Sequence, residues 1–156
     1  MKKIIQIIIG FIIIGIWVAI IKTTFFTDDN QELYEKGISY YNDKEYVAAK
    51  QYFNWVDKRK IPEAVIPLGY SYFYTKDYEN AIQNLQGAFE KKLGKPQSLS
   101  EVANVLGISY MHINDLKNAR IYLEKAKEMG NQNSVYNLKI LDSLEQKLQN
   151  RTIKEN

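Results

Sequence analysis

The sequence contains no cysteine, one histidine and three prolines among its 156 residues. Without cysteine there are no disulfides and no thiolate metal sites, a condition compatible with any compartment. The histidine, His112, has Asn114 and Asp115 close behind it but neither a second ligand nor a positioned nucleophile. Neither a metal cluster nor a Ser-His-Asp set can therefore be assembled. The eight glycines lie singly, so there is no glycine-rich phosphate loop. These absences predict a chain that is not an enzyme, takes no metal or cofactor and has no small-molecule substrate.

Acidic residues are missing from the first 27 positions. All 18 lie beyond Thr27, whereas Lys2, Lys3 and Lys22 precede it, so 21 − 3 = 18 basic residues remain and the rest is formally neutral. The pI near 8.9 therefore gives no argument for a nucleic-acid partner. Lys91, Lys92 and Lys95 make a small basic patch, read either as a solvated loop or as a contact for anionic lipid heads or an acidic partner.

What the N-terminus does have is a long apolar run. Residues 4–21, IIQIIIGFIIIGIWVAII, carry Gln6 as the one strongly polar side chain. As a helix the run is ~27 Å long, close to the hydrocarbon thickness of a bilayer. It exceeds a usual signal-peptide core, and no A-x-A cleavage site follows, so the expectation is a retained transmembrane anchor rather than a cleaved leader. Trp17, Phe25 and Phe26 fall where an interfacial aromatic belt helps set depth. Two lysines precede the run and one follows it closely, which favours a cytoplasmic N-terminus and an extracytoplasmic remainder at a bacterial inner membrane.

Beyond the run, one pattern occurs three times. Gly37, Gly69 and Gly107 each precede an alanine by twelve residues, at Ala49, Ala81 and Ala119. Each glycine has a tyrosine three residues on, at Tyr40, Tyr72 and Tyr110, and a bulky residue nine on, at Tyr46, Tyr78 and Leu116. A mid-helix glycine costs about 1 kcal/mol relative to alanine, so three at equivalent places point to close helix packing, glycine facing alanine.

These residues resemble the tetratricopeptide repeat, a helix-turn-helix unit. Leu33, Gly37, Tyr40, Ala49, Phe53 and Pro62 carry the first copy. Val65, Leu68, Gly69, Tyr72, Ala81, Leu85, Ala88 and Pro96 carry the second, and Ala103, Leu106, Gly107, Tyr110, Ala119, Leu123 and Ala126 the third. Lys36 stands where the family prefers leucine, Val56 replaces the late alanine, and no proline closes the third copy. Residues 126–138, AKEMGNQNSVYNL, resemble instead the related Sel-like repeats. The resemblance implies an all-α chain in which a transmembrane helix is followed by a short α-solenoid of three helix pairs and a C-terminal capping helix.

The expected organisation is an n-region at 1–3, an anchor at 4–21, a linker at 22–29 and a repeat domain at 30–149. Repeats fall at about 30–62, 62–95 and 99–131, with a capping helix at 134–149 and a disordered tail at 150–156. Helices are expected at 31–42, 45–58, from Pro62, at 77–92, 101–113 and 115–129. Residues 93–98 read as a loop before a Ser98-x-x-Glu101 capping box, and Gly130 as a left-handed helix end. The last helix places Val135, Leu138, Leu141, Leu144 and Leu148 on one stripe, as an array end requires.

The resemblance also implies that the first helix of each pair lines a concave face. The residues pointing there are Tyr34, Ile38, Tyr41 and Asn42, then Ile66, Tyr70, Phe73 and Tyr74, then Asn104, Ile108, Met111 and His112. The lysine, arginine and asparagine set with which some family members clamp a terminal carboxylate is not there. The set is aromatic and aliphatic, which suits an apolar or amphipathic protein segment, although packing between repeats competes for the same positions. The expected function is an anchored adaptor that binds an envelope protein through this face; the alternatives are a membrane-tethered immunity protein neutralising a toxin and a subunit of a secretion or pilus-biogenesis machine.

Overall fold

The computed structural model describes residues 12–17 and 29–155, with side chains to residue 151. Residues 12–17 are helical, and Ile12, Ile13, Ile14, Ile16 and Trp17 are exposed. The remainder of the expected anchor, the n-region and 22–28 of the linker lie outside the described residues. Among those described, no helix is long and apolar enough to cross a membrane.

From Asp29 onward the chain is all helical: α1 (Asp29–Asn42), α2 (Tyr46–Trp55), a 3-10 turn (Pro62–Ala64), α3 (Val65–Tyr74), α4 (Tyr78–Glu90), α5 (Pro96–His112), α6 (Leu116–Glu128) and α7 (Gln132–Glu155). Successive helices pack on one another, and the first helices also touch along the array, α1 on α3, α3 on α5 and α5 on α7. Their side is thus the inner, concave one. The second helices form the outer layer.

The turns inside the three pairs are built alike. Lys44, Lys76 and Asn114, each seven residues after its repeat's glycine, adopt left-handed backbone with φ of 63°, 62° and 62°. In each, the next amide reaches back to the carbonyl five residues earlier, Glu45 to Tyr40, Asp77 to Tyr72 and Asp115 to Tyr110, all at 2.9 Å. This closes the first helix as a Schellman turn closes one. Asp77 and Asp115 then cap the second helix by accepting the amides of Asn80 and Asn118; Glu45 makes no such bond.

The glycines are packing glycines, and what lies nearest each is a large side chain rather than the alanine, although Gly107 also meets the Ala119 backbone. A Cβ on Gly37 would lie 2.6 Å from the Phe53 ring, one on Gly69 2.6 Å from Leu85 Cγ, and one on Gly107 2.5 Å from Leu123 Cγ. The gap is filled by the large residue one turn beyond the alanine. Ala49, Ala81 and Ala119 are fully buried beside that contact.

Lys36 now has an explanation. Its counterparts Leu68 and Leu106 are buried, as are Ser71 and Ser109, whereas Lys36 and Ser39 are exposed. This face of each first helix packs on the preceding repeat, and α1 has none before it among the described residues. Lys36 instead pairs with Glu32 at 2.7 Å.

Three helices depart from their expected bounds by more than a residue or two. Helix α5 starts at Pro96, not Glu101, so the extra residues of the second repeat extend a helix rather than a loop; Ser98 is helical and Lys95 is the N-cap. Proline suits the first helical turn, where no amide partner is lost, and the added turn buries Leu99. Helix α2 ends at Trp55, because Asp57 turns the chain by holding the Arg59 amide at 3.0 Å. Helix α7 begins at Gln132 and continues to Glu155 through the segment expected as a disordered tail. Gly130 ends α6 with φ of +86°, as expected.

Candidate partner-binding groove

The inner positions divide into three environments. Ile66 and Asn104 are buried, at 9% and 3% exposure, and belong to the core rather than to an open groove. Asn104 is closed off by Asn137 of α7, whose amide donates to Asn104 Oδ1 at 2.8 Å. Tyr34, Ile38 and Tyr41 are half-buried against the first-repeat core, and Tyr70, Phe73 and Met111 against the larger one. Asn42, Tyr74 and His112 are exposed, and Ile108 is half-buried.

The exposed rings are nonetheless engaged. Tyr74 stacks on Tyr46 with centroids 4.3 Å apart, and His112 stacks on Tyr78 at 4.1 Å with rings 2° from parallel. These two contacts are one contact repeated, between the residue nine after one glycine and that five after the next. They join neighbouring repeats along the turn edge, which gives His112 a packing role. Tyr46 and Tyr78 were visible in the sequence as bulky repeats of the pattern, but their partners were not.

A second repeated contact lies on the outer side. The Tyr72 hydroxyl accepts from Asn54 Nδ2 at 3.2 Å, and the Tyr110 hydroxyl donates to Gln86 Oε1 at 2.9 Å. Both tyrosines sit three after a glycine and reach the residue seventeen after the preceding one. The corresponding tyrosine of the first repeat, Tyr40, stacks on Tyr52, with Trp55 beside them 62% exposed. Also outside, Lys91 joins Lys58 and Arg59 around a cavity of about 790 Å³ between α2 and α4; Lys92 and Lys95 do not line it.

At the middle of the inner face, Tyr41, Tyr70 and Tyr74 cluster. The Tyr41 and Tyr74 rings lie 6.3 Å apart. Burial, chiefly, holds the Tyr41 and Tyr70 phenols well above the ordinary tyrosine range, with the charge of Glu101 adding to both. Burial, and then the charge of Glu63, also raises the Tyr34 phenol. Glu63 and Glu101 thus act on the inner face, an assignment that sequence reasoning missed. The signal was available, since Gln31, Glu63 and Glu101 each stand six residues before a repeat glycine. Glu101 is fixed by Asn131, whose Nδ2 donates to its Oε2 at 2.8 Å. Asn131 so closes the third copy, which lacks a proline.

The C-terminal end of the face is a separate cavity of about 310 Å³. Ile108, Met111 and His112 line it from α5, and Asn137, Ile140 and Leu144 from α7. The long last helix therefore shapes the groove as well as covering the array end. Among the described residues, no group of three His, Cys, Asp or Glu could hold a metal ion.

No protein-family model and no curated protein matches the chain. Among solved structures, it is similar to the TPR2AB domain of yeast Sti1 in its complex with pHSP90, at a TM-score of 0.63 and 17% identity. The chain folds as a tetratricopeptide-like α-solenoid. The similarity covers 79% of this chain and 50% of the other, so this solenoid spans half the length of its structural neighbour.

Proposed function

We propose that this solenoid is a membrane-anchored protein-interaction module, which holds a segment of another envelope protein along its inner face and performs no chemistry of its own. The observation that carries the reading is the inner face itself. Tyr41 and Tyr70 are half-buried and Tyr74 is exposed, and the Tyr41 and Tyr74 rings lie 6.3 Å apart. Large amphipathic rings on a rigid scaffold anchor a peptide at low entropic cost. The complex of the structural neighbour, a TPR2AB domain with pHSP90, agrees in kind with a protein partner. The Sel-like character of residues 126–138 rests on their sequence alone.

Anchoring rests on the apolar run of residues 4–21, and the lysine flanks favour an extracytoplasmic array. Two measurements test the pair of claims. In-cell photocrosslinking from the Tyr41 position should give one dominant adduct, and from Lys91 on the outer cavity none; equal adducts from both would remove the groove. Extraction of membranes at alkaline pH should leave the chain in the pellet, and added protease should cut residues 57–62 in spheroplasts. Release from the pellet would refute the anchor, and protection of 57–62 the orientation.

A further inference from the structure

The two grooves between successive second helices are filled differently. Between α4 and α6, Tyr122 stacks on Tyr110 with centroids 5.5 Å apart and meets Phe89 edge-on, and Lys125 Nζ lies 5.0 Å from the Tyr122 ring centroid and 5.6 Å from that of Phe89. One ring and one long side chain of α6 close that groove.

Tyr122 and Lys125 stand fifteen and eighteen residues after Gly107, and the residues at those offsets from Gly69 are Asn84 and Gly87. Neither fills the corresponding space between α2 and α4. Asn84 folds back on its own helix, its Nδ2 donating to the Asn80 carbonyl at 2.8 Å, and a Cβ on Gly87 would meet nothing within 4 Å. Tyr72 is the residue affected. Its counterparts Tyr40 and Tyr110 stack on the tyrosine twelve residues on, Tyr52 and Tyr122, whereas Tyr72 has Asn84 there and no ring beside it among the described residues. The space left is the cavity of about 790 Å³, lined by Tyr72, Asn84 and Gly87 among others.

Its charge has one sign. Lys58, Arg59 and Lys91 line the cavity and no aspartate or glutamate does. Arg59 is offset by Asp57 at 2.8 Å, but Lys58 Nζ donates to a neutral group, the Asn54 carbonyl, at 2.8 Å. Burial pushes the Lys58 ammonium below the ordinary lysine value, so an anion arriving beside it restores what burial removes. The volume falls within the range of small-molecule pockets, about 300–1,000 Å³. In the next groove the same space is filled by single side chains, which favours a compact compound over a length of chain.

We propose that the cavity between α2 and α4 binds a small aromatic anion, a planar ring that carries a phosphate or a carboxylate. The ring lies on Tyr72 and over Gly87, in the place that Tyr122 takes against Tyr110, and the anionic arm meets Lys58 and Lys91. The compound is a ligand and not a substrate, because neither a histidine nor a carboxylate lines the cavity to move a proton. This site is independent of the inner face.

The probes are phenyl phosphate, benzoate and adenosine 5′-monophosphate, with inorganic phosphate and phenol as the two halves. Each is titrated into the full-length chain in nonionic detergent micelles, and the amide resonances of Gly87 and Lys91 report the site. At least one ring-bearing anion should shift both resonances and bind about tenfold or more tighter than inorganic phosphate or phenol. Lys91→Met, at an exposed residue, should weaken it about tenfold. Asn84→Tyr with Gly87→Lys recreates the filled groove of the third repeat and should abolish binding in a chain that still melts cooperatively. Should that double variant not fold, Lys91→Met carries the test alone. No shift with any ring-bearing anion, equal binding of inorganic phosphate, full affinity in Lys91→Met, or binding that survives in the folded double variant would overturn the site. A protein adduct from Lys91 in the in-cell crosslinking would overturn it as well, by giving the cavity to a partner segment.

Discussion

Alanine in place of Gly107 separates packing from helix propensity. On propensity alone the change favours the helix by about 1 kcal/mol. The new Cβ, however, would lie 2.5 Å from Leu123 Cγ, 2.7 Å from Leu123 Cδ2 and 3.1 Å from the Ala119 carbonyl oxygen. Leu123 is fully buried and cannot swing aside, and the carbonyl belongs to the α6 backbone. Overpacking of this kind costs about 1–3 kcal/mol. Gly87, within α4, is the control, because a Cβ there meets nothing within 4 Å. Gly87→Ala should therefore gain the propensity term, about 1 kcal/mol. Propensity cancels in the comparison, so the two variants should differ by the packing term alone, roughly 3–12 °C in Tm at about 3–4 °C per kcal/mol. The assay is thermal unfolding of the full-length chain, followed by circular dichroism in one detergent. If Gly107→Ala melts at or above Gly87→Ala, the repeat glycines do not set the helix approach, and the physical account of the repeat fails.

Tyr110→Phe removes a hydroxyl bonded to Gln86 across a repeat boundary and should cost about 0.5–1.5 kcal/mol in denaturant unfolding, with no change in helix content. His112→Ala should cost a similar ~0.5–1.5 kcal/mol by unstacking Tyr78, and a shift of the Tyr78 ring resonances should accompany it. Arg120 bonds both Asp142 and Glu145 at 2.6 Å, so Arg120→Gln should raise amide exchange in that part of α7 while α1 to α4 are unaffected. The folded-state values of Tyr41 and Tyr70 lie above the ordinary value of about 10, so their neutral phenols favour the folded chain below that pH. This contribution is lost as pH rises past 10. Tyrosinate absorbance should show these two phenols ionising last and together with unfolding; early ionisation of all tyrosines in a folded chain would contradict the burial.

Much of the array was legible because periodic residues make periodic contacts. Glycine, tyrosine and alanine at fixed offsets identified three helix pairs, and the apolar stripe of α7 identified the cap. The groove was legible only in part. Helical spacing says which way a side chain points but not what meets it, and Ile66 and Asn104 point inward only to be covered by neighbours. The start of α5 was misplaced for a related reason: Ser98-x-x-Glu101 is a good local cap, but burying Leu99 requires the earlier start at Pro96.

The sequence by itself determined the all-helical class, the pairing of helices and the absence of a clustered histidine or cysteine site, since each depends on residue type and spacing along one chain. It also explains where a charge could replace leucine at Lys36, once the direction of stacking is known. Only the tertiary structure decided which inner residues remain accessible, that Tyr46 and Tyr78 stack on the next repeat, and that Glu63 and Glu101 act on the tyrosines. These are relations between residues some 28 to 60 positions apart, such as Tyr46 with Tyr74 and Tyr41 with Glu101. They depend on the rise and rotation from one repeat to the next, which no local pattern encodes.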